Sequence, residues 1–307
     1  MLGFPQKICL IFTIVLSTNV EFIMGKPVNN AKLNPLLEKY LRRYGYLKPA
    51  TKVFPHWRAS WDQEITQSSM EGEQEIEQAI RKLQNVAGLP VTGKITDEEA
   101  VKIINQRRCG MKDFHTGKRT KRFALEGTFW HSKNLTYKIQ SFSSNLSRED
   151  IAHTIEKALQ MWSNVSQLTF TRVTTPGVKA DLNIRFVSGY HGDDHPTDGP
   201  GRELAHSFYP SDNRGLAGEV HFDDDETFSI NGGFGVDFLW LAVHELGHSL
   251  GLEDSNNHNS VMYQFYTGYR PNLRLSRDDI KGIQQLYGAK ADPATTRSKV
   301  GVRKGVP

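Results

Sequence analysis

Apolar residues recur at helical spacing in three stretches of the first hundred positions. Leu37, Tyr40, Leu41 and Tyr44 fall on one face. Ile76, Ile80 and Leu83 make a second stripe in a helix predicted over Glu73 to Val86. GLPVTGK then turns the chain, and Thr96 with Glu99 forms a capping box that opens a third helix through Ile104. Three short helices hide their stripes most economically against one another, so this part predicts an all-α three-helix bundle. The stretch from Thr51 to Met70 fits no helical pattern and reads as a surface loop, open to proteolysis.

Beyond it the period changes. LTYKIQ, Leu135 to Gln140, alternates as a strand; Ser147 and Asp150 cap a helix with Ile151, Ile155, Leu159 and Trp162 on one face. LTFTRV and DLNIRF read as further strands, followed by a loop region rich in His, Asp and Gly. FLWLAV, Phe238 to Val243, is the apolar run of a buried helix, and a last helix is capped by Ser276 and stopped by Gly288. This order predicts an α+β fold, a twisted mixed sheet packed on helices.

Composition narrows the setting. The 307 residues suit one or two domains. Lys7 followed by ICLIFTIVL reads as a signal peptide over 1–25, too short to cross a bilayer, and no later apolar run reaches membrane length. Sequons begin at Asn134, Asn145 and Asn164. Of two cysteines, Cys9 would leave with the signal, so the mature chain can form no internal disulfide and Cys109 stays unpaired. A net charge of +4 is modest and points to no nucleic-acid partner. The tail, 289–307, is polar and basic through Lys290, Arg297, Lys299, Arg303 and Lys304, and is expected to be disordered, with attachment to sulfated glycans as its possible use.

The most specific chemistry lies in HELGHSLGLED, His244 to Asp254. Positions i and i+4 share a helical face, so His244 and His248 can grip one zinc ion together. Glu245 projects beside the metal, where it can take a proton from the attacking water. Gly251 has the backbone freedom to end the helix sharply and return Asp254 as a third ligand. Met262, in VMY, would floor the site without bonding to the metal.

This pattern resembles H-E-x-x-H-x-x-G-x-x-H with a methionine turn, the signature of the metzincins. The resemblance runs from about Lys32 to Gly288 and narrows to the matrixins, in a short matrilysin-like form without a hemopexin domain. It implies a five-stranded sheet with three helices over 123–288, preceded by a propeptide over 26–122. RRCGMKD, Arg107 to Asp113, resembles the family's P-R-C-G-V-P-D switch. By that resemblance Cys109 ligates the zinc in a latent form, with Arg108, Gly110 and Asp113 matching and both prolines replaced, by Arg107 and Lys112. Arg107, Arg108 and Lys112 around Cys109 argue against burial in an apolar core. RTKR, with Arg119, Lys121 and Arg122, fits a furin-like convertase. Cleavage there would create an N-terminus at Phe123, whose ammonium is expected to pair with Asp279.

The resemblance further implies a structural zinc on His191, Asp193, His206 and His221, a closed set of three imidazoles and one carboxylate. A calcium loop is implied at Asp198, Gly199, Gly201, Glu203, Asp223 and Glu226, built from carboxylates and carbonyls. A second calcium is implied at Asp181, Gly215, Ala217 and Glu219, where Glu219 replaces the family's aspartate and the preceding segment is about two residues longer than usual. Extended substrate would lie along Leu204 and Ala205, its main side chain in a pocket formed by Trp240, Val243 and Tyr266; an indole at 240 implies a shallow one.

The expected activity is therefore secreted, zinc-dependent hydrolysis of extracellular protein by a monomer, subject to tissue-inhibitor-type protein inhibitors. Asp254 departs from the family's histidine; other metzincin-like proteases carry aspartate there, and His258 is an alternative third ligand. A catalytically silent zinc-binding relative is the competing function, opposed by retention of Glu245, Cys109 and the processing site. A structural matrix component would show repeats or a disulfide framework, and this sequence has neither.

Overall fold

The structure, a computed structural model, describes residues 33–48, 72–114, 128–210 and 215–291. The signal segment, the Thr51 to Met70 stretch, the processing residues Arg119, Lys121 and Arg122 with Phe123, and the tail from 292 lie outside these residues.

The N-terminal unit contains α1 (Pro35–Arg43), α2 (Glu73–Val86) and α3 (Asp97–Ile104). Asn34 caps α1 and also donates to Asp97 at the start of α3, at 3.0 Å. Both halves of the Thr96–Glu99 capping box are present. Leu37, Leu41, Ile80, Leu83, Val86 and Ile103 form the core of the bundle, but it is not closed by the bundle alone. Tyr263 and Phe265 join it from the C-terminal unit, and the Tyr263 hydroxyl donates to the Val86 carbonyl at 3.0 Å.

The C-terminal unit is α+β. Its sheet has the order β2 (Thr169–Arg172), β1 (Asn134–Ile139), β3 (Leu182–Val187), β5 (Glu219–Asp223), β4 (Ala205–Ser207). All neighbours are parallel except β4, which runs antiparallel to β5 and forms an edge. β6 (Phe228–Ser229) and β7 (Val236–Asp237) make a separate two-stranded ribbon. Three helices complete it: α4 (Arg148–Val165), α5 (Phe238–Ser249) and α6 (Arg277–Tyr287). The predicted stripe of α4 is buried, and Trp162 at its end donates to the Val243 carbonyl of α5 at 3.0 Å. Among the described residues no helix is long and apolar enough to cross a membrane.

α5 is buried on nearly every side, as its uniform FLWLAV run requires. Its end decides the site. Gly251 N–H donates to the His248 carbonyl at 2.8 Å and Leu252 N–H to the Gly247 carbonyl at 3.0 Å, the paired bonds of a Schellman turn. Gly251 has φ +102°, and a Cβ there would fall 2.3 Å from the Thr128 carbonyl oxygen. Backbone strain and a backbone clash thus coincide. Gly251→Ala is expected to lower stability by about 2–3 kcal/mol, read as a lower urea midpoint at constant m; an unchanged midpoint would show that the turn tolerates a side chain.

Candidate metal centre

α5 buries His244, Glu245 and His248 completely. His244 Nδ1 lies 2.8 Å from the Val261 carbonyl and His248 Nδ1 lies 2.7 Å from the Leu252 carbonyl. A carbonyl only accepts, so each Nδ1 carries the proton and each Nε2 presents a lone pair. Those two Nε2 atoms face each other at 3.1 Å. Asp254 Oδ1 stands 3.4 Å from one and 3.3 Å from the other, and Cys109 Sγ is 3.5 Å from His248 Nε2. Both Asp254 oxygens are buried without a hydrogen-bond donor. Bonds of ordinary zinc length arranged tetrahedrally separate their donor atoms by about 3.3–3.7 Å. Four ligand atoms converging at this spacing fit a zinc ion.

The local electrostatics follow from the same crowding. Burial raises the Cys109 thiol well above its usual range, and the Glu245 and Asp254 charges add to it. Burial disfavours a charged His248, but the Asp254 carboxylate outweighs it and raises the imidazole. The cluster favours positive charge, and a divalent cation bound there would turn Cys109 into a thiolate ligand. Glu245 Oε2 accepts from Ser207 Oγ at 2.6 Å, while Oε1 has no partner. Ser207, on β4, went unnoticed in the sequence because only the sheet brings it to α5.

Cys109 reaches this point on a short extended segment. Arg108 N–H donates to the Arg202 carbonyl at 2.7 Å, Leu204 N–H to the Arg108 carbonyl at 2.9 Å and Gly110 N–H to the Ala205 carbonyl at 2.8 Å. On its other side Cys109 N–H donates to the Gln264 carbonyl at 3.0 Å and Tyr266 N–H to the Arg107 carbonyl at 2.9 Å. Residues 107–110 thus fill a trough between the sheet edge and the 264–266 segment, and Leu204 and Ala205 supply the edge groups. Along it, Trp240 stacks on His244 with ring centres 5.1 Å apart and meets Tyr266 at 5.2 Å. Val243 is buried one residue from the cluster, and the Tyr266 hydroxyl receives Asp237 N–H at 2.8 Å.

A Matrixin (Peptidase_M10) family profile matches residues 129–288. The chain belongs to the matrixin family. Porcine (Sus scrofa) interstitial collagenase is 43% identical over 221 residues, covering 71% of this chain and 44% of that protein. Human (Homo sapiens) matrilysin is 40% identical over 220 residues, covering 71% and 78%. Mouse (Mus musculus) matrix metalloproteinase-25 is 37% identical over 270 residues, covering 84% and 42%. The chain thus matches less than half the length of the collagenase and of metalloproteinase-25.

Several placements in this matrixin differ from the sequence expectation. Cys109 and Arg108 are both buried despite the basic flank. Arg108 is tolerated because its guanidinium pairs with Asp113, donates to Tyr40 Oη at 2.7 Å and lies 3.5 Å over the Tyr44 ring. These contacts hold the segment where the family's prolines are missing. Asp279 is buried, with its oxygens accepting from Ser260, Val261 and Ser276, so it pins the Met262 turn. Asp278 beside it accepts from Ser255 at 2.7 Å. His258 is exposed, packs on the Tyr263 ring and takes no part in the cluster.

The second metal set is compact. Asp193 Oδ2 lies 2.9 Å from His191 Nε2, 3.0 Å from His206 Nε2 and 2.9 Å from His221 Nδ1. His191 Nδ1 is tied to the Gly189 carbonyl at 2.8 Å, and His221 Nε2 faces Glu219 Oε2 at 3.6 Å. All four donors come from this chain, leaving no vertex for substrate, which fits a structural zinc. Nearby, burial and then the Glu203 charge push Asp198 up to about 7, and burial raises Asp223 and Glu226 as well. Gly199 and Gly201 N–H groups donate to Asp223 and Glu226. The Glu203 side chain does not join these carboxylates: it turns to Arg43 and Tyr44. In the second calcium set the Asp181 carboxylate accepts from Thr136 at 2.7 Å, the Gly215 carbonyl takes the Lys179 ammonium at 2.9 Å and Glu219 faces His221, while the Asp181 carbonyl lies against Gly218, between Ala217 and Glu219.

The Arg108–Asp113 pair yields a test. Asp113→Asn leaves a buried guanidinium without its counter-charge, an arrangement that costs about 3–5 kcal/mol. Cys109 in the intact zymogen should then react much faster with an exogenous disulfide reagent. Unaltered reactivity would mean that the segment is held by its backbone bonds alone.

Proposed function

We propose that this matrixin is a secreted zinc-dependent endopeptidase acting on extracellular matrix or other secreted proteins. In this reading Cys109 keeps it latent and a furin-like convertase releases it by cutting after Arg122. The observation that carries the proposal is the convergence of His244, His248, Asp254 and Cys109, beside a Glu245 carboxylate with one uncommitted oxygen. Interstitial collagenase is by its name a protease of interstitial collagen, which makes collagen-like sequence a natural first substrate.

A zinc ion held by His244, His248 and Asp254 would supply a Lewis acid that polarises the scissile carbonyl and acidifies the attacking water. The chain's residues do the rest. Departure of Cys109 vacates one of four donor positions. Glu245, oriented by Ser207, accepts the proton from water at Oε1 and passes it to the leaving amine. The trough now filled by 107–110 would hold substrate as an added strand, using Leu204 N–H and the Ala205 carbonyl. His191, Asp193, His206 and His221 would hold a structural zinc, and Asp198, Asp223 and Glu226 with the Gly199–Gly201 turn a calcium ion. Inhibitors of the tissue-inhibitor type would compete for the same trough.

Asp254 favours a second, weaker reading: its negative charge would reduce the Lewis acidity of the ion, giving slow or silent hydrolysis. One preparation separates the two. The convertase-treated protein should contain zinc and cleave a collagen-like peptide; Glu245→Ala should keep the zinc and lose about 10²-fold or more in turnover. Asp254→His should match or exceed the native rate. Equal cleavage under strong chelation, or by Glu245→Ala, would sink the proposal, and zinc without cleavage would favour the silent relative.

With the Trp240 indole 5.2 Å from the Tyr266 ring, the pocket in this reading is shallow, so peptides varied at the residue entering it should be cut fastest with small or medium aliphatic side chains. Preference for very long side chains would contradict the placement of the indole.

A further inference from the structure

Glu203 precedes Leu204 at the sheet edge, and its side chain has a notable set of partners. Arg43 Nε donates to Oε1 at 2.9 Å, Arg43 Nη2 to Oε2 at 2.7 Å, and Tyr44 Oη to Oε1 at 2.8 Å. All three donors come from the end of α1 and the residue after it, within the segment that the proposed cut removes. Gly110, next to the cysteine, covers the same carboxylate: a Cβ there would fall 2.8 Å from Glu203 Oε2. The side chain is only 5% exposed. Arg202, the neighbouring cation in sequence, is exposed and bears on Asp198.

Loss of the propeptide therefore removes the counter-charge, the hydroxyl donor and the cover in one event. A carboxylate stripped of all its side-chain donors at the rim of a trough strongly favours a replacement cation. The trough's edge groups, Leu204 N–H and the Ala205 carbonyl, lie beside it, so an added strand passes within side-chain reach of Glu203.

We infer that in the processed matrixin Glu203 is an acidic subsite that selects substrates carrying arginine or lysine within about two residues of the scissile bond. A substrate guanidinium would reproduce the two-pronged contact that Arg43 makes in the zymogen, so arginine should be preferred to lysine. The inference rests on the reading of the 107–110 trough as the substrate cleft.

The test uses convertase-processed full-length protein and fluorogenic peptides in which each position around the cut carries arginine, lysine, norleucine or glutamate in turn. One position should favour arginine over norleucine by about tenfold in kcat/KM, with glutamate slowest and the preference shrinking as salt rises. In Glu203→Gln the arginine-to-norleucine ratio at that position should fall toward one. The ratio is taken within each protein, so a general loss of turnover does not disturb it. Peptides cleaved without a basic preference at any position would overturn the inference and leave the cleft reading intact, and this needs no variant. A ratio unchanged in Glu203→Gln would assign the preference elsewhere. No cleavage of any peptide by the zinc-loaded native protein would overturn the cleft reading and the subsite with it.

Discussion

Lone pairs from two imidazoles and a carboxylate that converge on one point repel unless a proton or a cation joins them. That constraint organises the C-terminal unit. The carbonyls of Val261 and Leu252 fix the protons of His244 and His248 on Nδ1, and so turn both Nε2 atoms toward Asp254 and Cys109. Each supporting carbonyl belongs to an element with its own anchor. Leu252 lies in the Schellman turn that Gly251 permits, and Val261 in the turn that Asp279 holds against α6. The geometry of four donor atoms thus depends on α5, its terminating turn, the Met262 turn and α6 together.

The propeptide meets this machinery with charge as well as with sulfur. Arg108 is buried against Asp113 and two tyrosines, and Arg43 grips Glu203 across the interface. Buried ion pairs contribute little net stability, because desolvation offsets most of their attraction. The pair that joins the two units does penalise misplacement heavily, since a shift leaves both Arg43 and Glu203 unpaired. The Arg108–Asp113 pair closes the segment around Cys109 on itself, a stiffening that prolines would otherwise supply.

Much of the fold was legible because its long elements carry unambiguous periods. Ile76, Ile80 and Leu83 placed α2 at Glu73–Val86, and Ile151, Ile155, Leu159 and Trp162 placed α4. β4, β6 and β7 have two or three residues, too few for alternation to register. The zinc-helix donors were legible for the same reason as α2: one helix fixes their spacing. Ser207, Arg43 and the part played by Tyr263 and Phe265 in the N-terminal core were not, because those contacts join residues some 40 to 180 positions apart through the tertiary fold alone. The partner of the Glu203 side chain was hidden in the same way, since a helix 160 residues earlier supplies it.

The proposed cut after Arg122 would break none of the contacts described above, so release of the N-terminal unit would need a different cause. While the units are joined, docking is intramolecular and benefits from an effective concentration in the millimolar range. After cleavage the same contacts compete with dilution, and the bundle must hold on by intrinsic affinity alone. Its core is small and is completed by Tyr263 and Phe265 of the partner unit, so separation exposes apolar surface on both sides. That cost favours rebinding, whereas the desolvated Arg43–Glu203 pair, divided between the units, gains hydration on separation. In the proposed zymogen, latency would be a balance in which the apolar wall retains the N-terminal unit and the buried charge pair between the units eases its departure, with the covalent link holding the balance on the inhibited side.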